Sequence, residues 1–275
     1  MCYYNGQKIT RAEYIRLKNL EKAVRKYNFL NVGVHNGFMF QPAALAIANP
    51  DKTDFELVQG QWGYMPQAIS SLKEAQEFLR RYTTMNYKAE NMLVNDQGRR
   101  SMWADAVEKG RTCLVLSTGM VENRHINKIG KKGEVLKATD AFPYMVTMKD
   151  QEYWWLAGLY NQVLNKETGE LVYTFAFSTT NANALFRQIH NKDNKWRMPA
   201  VLNEDQAWEW LMENPGPERL QQIARTQVPS KDMEYCTITK EYLSERVANP
   251  AEYQGLPPID MTYMDVQEQL LYPAA

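Results

Sequence analysis

Short β-rich runs along this chain are separated by capped helical segments, but strands and helices do not alternate regularly. The runs richest in β-branched and aromatic residues cover positions 55–61, 112–116, 144–148, 153–160 and 171–178. A doubly wound parallel sheet requires strand and helix to follow one another in turn. We therefore predict an α+β fold with a curved, mostly antiparallel sheet or barrel-like core and helices around it.

Three segments carry the signature of a helix start, a Ser, Thr or Asn followed three residues later by Glu or Gln. The starts are at Thr10, Ser71 and Asn203. The first helix is predicted to reach about residue 27 and the second about residue 82. The Asn-Pro-Gly sequence at 214–216 is expected to end the third.

Charge is distributed unevenly along the 275 residues, although the net charge is zero. Residues 231–275 contain eight acidic and three basic side chains, so the first 230 residues carry a net charge of +5. Such an excess suits modest binding of phosphate groups. Since 44% of the chain is hydrophobic, it can bury a large core. We predict a main domain over residues 1–235 and an acidic C-terminal extension over 236–275.

The apolar segments are too short for a membrane span, which needs about 18 consecutive apolar residues. Residues 1–11 lack the apolar centre of a secretory signal. The three cysteines, Cys2, Cys113 and Cys236, are odd in number and widely spaced, which suits a reducing compartment. With three histidines and no close Cys/His spacing, we expect no metal site and no cofactor. The prediction is a cytoplasmic protein.

Cys2 directly follows Met1, so loss of Met1 would place an α-amine and a thiol on adjacent carbons. An α-amine has a pKa of about 7.7 to 8.0, against about 10.4 for lysine, so far more of it is neutral near physiological pH. Such an amine can attack an aldehyde, and the thiol can then close a five-membered thiazolidine ring on the imine. Cys2 is therefore a candidate for covalent chemistry with an aldehyde.

Further residues that could carry chemistry occur near the ends of predicted strands and helices. A tryptophan and a glycine end a strand, an amide and a lysine follow the second helix, and a carboxylate follows a strand and a glycine turn. A histidine and an arginine come later in the chain. These residues are Trp62, Gly63, Asn86, Lys88, Glu122, His190 and Arg197.

In order and spacing, these segments resemble the SOS-response-associated peptidase (SRAP) family, also called the abasic-site-processing domain. The resemblance extends from residue 1 to about residue 230. It rests on Met-Cys at 1–2, Trp-Gly-x-x-Pro at 62–66, Asn-x-Lys-x-Glu at 86–90, Gly-x-x-Glu at 119–122, Ala-Gly-Leu at 157–159, Thr-x-x-Ala-Asn at 179–183, Ile-His at 189–190 and Arg-Met-Pro at 197–199.

The resemblance implies an enzyme that recognises abasic sites in single-stranded DNA and crosslinks itself to them. After removal of Met1, the Cys2 amine would attack the C1′ aldehyde of the ring-opened deoxyribose, and the thiol would close the thiazolidine. Glu122 would transfer protons, His190 would assist ring opening or imine formation, and Asn86 would orient the substrate or the N-terminus. Lyase activity and self-removal of Met1 or a short leader are further activities that the resemblance suggests.

The resemblance also implies how DNA is held. Trp62 and Gly63 would form a wedge against the base stack, and Lys88 and Arg197 would contact phosphates. The expected partner is single-stranded DNA that contains abasic sites, with association with the nucleoid when bound. No metal, cofactor or membrane partner is implied.

Four departures from the family pattern concern these contacts. Tyr3-Tyr4 stand where the family has Gly-Arg, and Lys88 replaces an arginine and so loses a bidentate fork. Asn123-Arg124 replace an aromatic residue. Residues 191–196 separate the histidine from the arginine, which the family places almost side by side.

Three alternatives remain at this point. An N-terminal-nucleophile amidohydrolase would use the Cys2 amine as a base and its thiol as the nucleophile. A cysteine peptidase would combine Cys2, His190 and Glu122. A non-catalytic module would bind single-stranded DNA without crosslinking, and retention of Met1 would favour it.

Overall fold

A computed structural model describes residues 2–67, 69, 71–166, 168–194, 196–213, 215–264 and 268–273. Among these residues it contains fifteen strands and six α-helices. The strands are β1 (Tyr4–Gly6), β2 (Tyr14–Leu17), β3 (Leu20–Ala23), β4 (His35–Asn36), β5 (Pro42–Ala48), β6 (Phe55–Trp62), β7 (Asn86–Lys88), β8 (Thr112–Ser117), β9 (Gly119–Ile129), β10 (Val135–Met148), β11 (Trp154–Leu164), β12 (Leu171–Asn181), β13 (Arg197–Pro199), β14 (Val201–Leu202) and β15 (Met233–Thr237). The α-helices are α1 (Leu72–Arg81), α2 (Ala104–Glu108), α3 (Ala184–Ile189), α4 (Glu204–Trp208), α5 (Pro217–Ala224) and α6 (Tyr242–Glu245).

Five strands close into a barrel. The larger sheet runs β12-β6-β5-β8-β11, and β11 pairs in turn with β12, which completes the ring. The β12–β6 pair is parallel and the other four pairs of the ring are antiparallel. The short strands β7, β13 and β14 extend this sheet. The predicted α+β fold with a mostly antiparallel, barrel-like core is confirmed.

A second sheet, in the order β15-β10-β9-β1-β4, packs against the barrel. One buried apolar cluster joins Leu45 and Phe175 of the barrel to Met120 and Val146 of this sheet, and Cys2 belongs to the same cluster. The start of the chain is therefore fixed between the two sheets.

The strand β8 shows why the sequence favours a barrel that is buried on both faces at this position. Leu114 and Leu116 lie in one buried cluster, whereas Cys113 and Val115 lie in the other. Because successive side chains of a strand point to opposite faces, the continuous apolar run of this strand has core on both sides.

Two of the predicted helix starts are confirmed. The Ser71 hydroxyl accepts a hydrogen bond from the backbone N–H of Glu74 at the start of α1. Asn203 and Gln206 form a reciprocal capping box at α4, which continues as a π-helical segment over Glu209–Glu213. The predicted end of this helix at Asn214 lies outside the described residues.

The predicted helix over residues 10–27 is wrong, because this segment forms the β2–β3 hairpin. The backbone N–H groups of Arg11 and Ala12 donate to the carboxylate of Glu152, at 2.7 and 2.6 Å, instead of starting a helix. Ile15 and Leu17 are buried on either side of an exposed Arg16, which is the two-residue period of a strand. A distant carboxylate thus provides the acceptors that a helix cap would otherwise supply.

The predicted strands are all present. The described residues of the predicted extension, 236–264 and 268–273, are part of the folded body. The predicted domain boundary falls within β15, which pairs with β10. Ile238, Tyr242 and Ile259 are buried, and Arg124 donates to the carbonyl oxygens of Pro257 and Pro258. Acidic composition suggested a solvated tail, but these apolar anchors attach the segment to the second sheet. Within the described residues, no helix has both the length and the apolar character needed to cross a bilayer.

Candidate active site

Three elements bring the candidate reactive residues together. Cys2 lies two residues before the start of β1, in which Asn5 lies opposite Met120 of β9. Because the pair is antiparallel, the start of the chain runs towards Glu122, two residues further along β9. His190 caps the C-terminal end of α3, and its backbone N–H donates to the carbonyl of Phe186 at 2.7 Å.

The side chains of Cys2, Glu122 and His190 meet in the interior, although they are far apart in sequence. One nitrogen, oxygen or sulfur atom of each lies within 4.8 Å of the corresponding atom of the other two. All three residues are buried. The fold therefore assembles a thiol, a carboxylate and an imidazole in a small volume, as proton transfer or metal binding would require.

The backbone determines the tautomer of His190. Its Nδ1 lies 2.9 Å from the carbonyl oxygen of Arg197. Since a carbonyl can only accept, Nδ1 carries the proton, and in the neutral imidazole Nε2 therefore carries the lone pair. The neighbouring Asn191 exchanges two hydrogen bonds of 2.8 Å with the backbone of His125 in β9, so the turn that carries His190 is attached to the strand that carries Glu122.

Asn86 holds the backbone of Cys2. Its Nδ2 donates to the Cys2 carbonyl oxygen at 2.6 Å, and both residues are buried. The Asn86 Oδ1 atom is also buried and has no hydrogen-bond partner in the described part of the chain. An unsatisfied acceptor is costly in the interior, so this oxygen is well placed to accept from an amine or a substrate hydroxyl next to Cys2.

The environment keeps the Cys2 thiol protonated. Burial disfavours the thiolate and the nearby charge of Glu122 adds to this effect, so the pKa of the thiol is raised well above its ordinary value. Burial and Glu122 also raise the pKa of Tyr3 to about 12. In the described residues the Glu122 Oε1 atom is buried without a hydrogen-bond partner, and it is a candidate acceptor for a proton or a ligand.

Trp62 and Gly63 lie near the site, but both have structural roles in the packing of the fold. Trp62 is 1% exposed, and its indole N–H donates to the carbonyl of Met85 at 2.8 Å. Gly63 has a φ of +142°, which favours glycine, and a Cβ there would lie 2.8 Å from the Phe40 ring. The wedge role remains a prediction, and it would require Trp62 to leave its packing.

Lys88 and Arg197, the two predicted phosphate contacts, lie in different environments. Lys88 is exposed and forms a 3.5 Å ion pair with the exposed Asp96. Arg197 is buried and forms a bidentate pair with Glu90, at 2.7 and 2.9 Å, while it also donates to the Thr179 carbonyl. The Lys88 ammonium is thus accessible from solvent, whereas Arg197 supports the turn that holds His190. Both phosphate contacts remain predictions.

Sequence reasoning assigned no role to Glu90, Asn191 or Phe38. Phe38 is 49% exposed, and its ring centroid lies 4.5 Å from that of Tyr3, next to Cys2. The backbone N–H of Gly37 donates to the Tyr3 carbonyl at 2.8 Å, which ties this loop to the start of the chain. The run Phe-Met-Phe at 38–40, just after a glycine, was the available signal for an apolar loop.

The fold is that of an α+β protein with a closed β-barrel, a second sheet and a buried group of Cys2, Glu122 and His190 between them. A model of the family described as SOS response associated peptidase (SRAP) matches residues 7–244. The chain therefore belongs to the SRAP family, as the ordered motifs predicted.

Relatives and solved structures agree with this assignment. The abasic site processing protein YoqW of Bacillus subtilis (strain 168) is 25% identical over 207 residues, which cover 75% of this chain and 79% of the relative. The abasic site processing protein HMCES of Xenopus tropicalis is 24% identical over 168 residues, covering 58% of this chain and 46% of the relative. A crystal structure of a Bacteroides thetaiotaomicron protein shares the fold, with a TM-score of 0.62, 23% identity and coverage of 88% and 94% of the two chains.

Proposed function

We propose that this protein recognises abasic sites in single-stranded DNA and attaches itself to them through Cys2 after removal of Met1. The observation that carries the proposal is the meeting of Cys2, Glu122 and His190 within 4.8 Å. Membership of the SRAP family and the names of two relatives, both abasic site processing proteins, support the choice of substrate.

The proposed reaction forms two bonds and releases one water molecule. The α-amine of Cys2 adds to the C1′ aldehyde of the ring-opened sugar, and loss of water gives an imine. The thiol sulfur then adds to the imine carbon, and the thiol proton ends on the nitrogen. The product is a thiazolidine, with no oxidant, reductant or metal required.

The buried side chains suit the proton transfers of this sequence. Glu122 would give a proton to the departing hydroxyl during imine formation and take one up from the thiol during ring closure. His190, with its lone pair on Nε2, would accept the sugar hydroxyl proton as the ring opens. Asn86 would accept from the freed amine through Oδ1 while it holds the Cys2 carbonyl.

The raised pKa of the Cys2 thiol favours this order of steps over thiol-first mechanisms. A peptidase or amidohydrolase attacks with the thiolate, and burial next to Glu122 suppresses that form. An amine that attacks first needs the thiol only at ring closure. The amidohydrolase, cysteine peptidase and non-catalytic alternatives stay untested, as does a lyase reaction.

DNA would reach the site across the loop that contains Phe38, since Trp62 is buried. We propose that the exposed Phe38 ring stacks on a base next to the lesion and that Lys88 contacts a phosphate. Neither contact reads the base sequence, as suits a protein that must recognise a site without a base.

The test uses the full chain and a single-stranded oligonucleotide with one abasic site. We expect a slow band on a denaturing gel, an intact mass that lacks Met1, and loss of the band in Cys2→Ala. Cys236→Ala is the matched control, because Cys236 is an exposed free thiol. A processed protein that forms no band, or a band of unchanged strength in Cys2→Ala, would contradict the proposal.

A further inference from the structure

Besides its reactive groups, the buried centre contains a set of possible metal ligands that spacing along the sequence did not reveal. Cys2, Glu122 and His190 supply sulfur, oxygen and nitrogen atoms that lie within 4.8 Å of one another. Thiolate, carboxylate and imidazole are the ligands that Zn²⁺ prefers in proteins. Ligand atoms around a tetrahedral zinc ion lie roughly 3.5 Å apart. The three side-chain atoms would therefore have to move about 1 Å closer together to bind one ion.

Two features of these ligand residues resemble those of known metal sites. The Nδ1–H group of His190 donates to the Arg197 carbonyl, and metal-binding histidines usually donate their second N–H in this way. In the described residues the Glu122 Oε1 atom is buried and has no hydrogen-bond partner, although the residue is only 7% exposed. A cation would satisfy this oxygen.

Removal of Met1 would add a fourth ligand. The α-amine and the thiolate of an N-terminal cysteine can bind one ion together in a five-membered chelate ring. With Glu122 and His190, they make four ligands, the number that completes a tetrahedral zinc site. This step rests on the proposed processing of the N-terminus.

We propose that the processed protein binds a zinc ion through the amine and thiolate of Cys2, the Glu122 carboxylate and His190 Nε2, and that this ion blocks crosslinking to DNA. Binding releases the thiol proton to solvent, together with the ammonium proton of any amine that is protonated, and takes up no other group. The amine and the sulfur are the two atoms that become part of the thiazolidine. One Cys2 therefore cannot hold zinc through this chelate and carry the DNA crosslink at the same time.

Cobalt(II) is the probe, because it replaces zinc in such sites and absorbs light. We expect titration of the processed full chain to give a thiolate-to-cobalt charge-transfer band and the visible bands of tetrahedral coordination. Cys2→Ser should abolish the charge-transfer band, and Glu122→Gln and His190→Gln should each weaken binding by about tenfold or more. Cys236→Ser should leave the spectrum unchanged, and its loss in that variant would overturn the proposal.

Two measurements do not depend on whether these variants fold. A chain with an N-terminal extension, in which the Cys2 nitrogen is an amide, should bind cobalt at least about tenfold more weakly. Formaldehyde, which converts an N-terminal cysteine to a thiazolidine, should remove the charge-transfer band from the unmutated protein. Equal cobalt affinity with and without the extension, or a band that survives formaldehyde, would overturn the proposal.

Failure of this inference is distinguishable from failure of the proposed function. Zinc added at one equivalent should suppress the crosslinked band, and a chelator should restore it. A crosslinked band in a protein without a cobalt spectrum would leave the proposed function intact and overturn the metal site. A cobalt spectrum in a protein that never crosslinks would support the site and contradict the proposed function.

Discussion

The reactive centre and the surface proposed to hold DNA are built in opposite ways. The centre consists of buried side chains that are fixed by backbone carbonyls, such as the Cys2 carbonyl bound by Asn86 and the Arg197 carbonyl bound by His190. The surface consists of exposed groups with few contacts, Phe38 and Lys88. Changes at the centre should therefore affect chemistry and stability, whereas changes at the surface should affect affinity alone.

Glu122→Gln should have the largest effect, because it removes the carboxylate that we propose as proton donor and acceptor but keeps its size. We expect the crosslinking rate at saturating DNA to fall about 10² to 10³-fold, while the dissociation constant for abasic DNA changes less than about twofold. Single-turnover gel kinetics and fluorescence anisotropy measure the two quantities. Equal losses in rate and affinity would mean that Glu122 serves to position DNA.

His35 should make the buried region sensitive to acid. It is buried opposite Asn5 of β1, and burial together with the Arg246 charge lowers its pKa from 6.5 to about 4. Between pH 4 and 6.5 the unfolded chain binds a proton that the folded chain does not, so this residue makes stability rise with pH across that interval. We expect the free energy of unfolding to lose ~2 kcal/mol from His35 between pH 7 and pH 5.

The measurement is urea unfolding at both pH values in parallel with His35→Gln, which lacks the titrating ring. The pH dependence of the variant should be smaller by that amount. Identical slopes for the two proteins would show that the protonation of His35 does not differ between the folded and unfolded chains.

Phe38→Ala tests the surface. Loss of a stacking ring should weaken binding of single-stranded DNA by about 1 to 2 kcal/mol, and the crosslinking rate at saturating DNA should not change. Met39→Ala is a close control, because Met39 is adjacent, apolar and 65% exposed but has no ring. If Met39→Ala weakens binding as much as Phe38→Ala, general apolar contact rather than stacking holds the DNA.

Lys88→Ala should have the smallest effect. A single lost phosphate contact should lower the slope of log affinity against log salt by about 0.7 and leave binding at high salt nearly unchanged. Lys132→Ala, at the exposed turn between β9 and β10, serves as control with an unchanged slope. Equal slopes in Lys88→Ala and the unmutated protein would remove Lys88 from the proposed surface.

The sequence predicted the strands of the core and two of the three helix starts, but the helix predicted from Thr10 does not form. The strands could be predicted because runs such as 112–116 are apolar on both faces. Such a run indicates a buried strand whatever elements lie next to it. The helix predicted from the capping box at Thr10 does not form. Glu152, 142 positions away, accepts the hydrogen bonds that the cap of a helix would otherwise accept. The resemblance to the family implied that Trp62 and Arg197 contact DNA, and only the tertiary structure showed that both are buried. Both contacts remain predictions.

Residue types and their order along the chain were enough to predict the fold class, the family and the chemistry available to Cys2, because these depend on local pattern and on the functional groups themselves. Tertiary structure decided what the groups can do together. It placed Cys2, Glu122 and His190 side by side, raised the pKa of the thiol by burial, and fixed the lone pair of His190 on Nε2 through a backbone carbonyl. Distances, burial and hydrogen-bond partners arise only when β1, β9 and α3 pack together, so no spacing along the chain could have shown them.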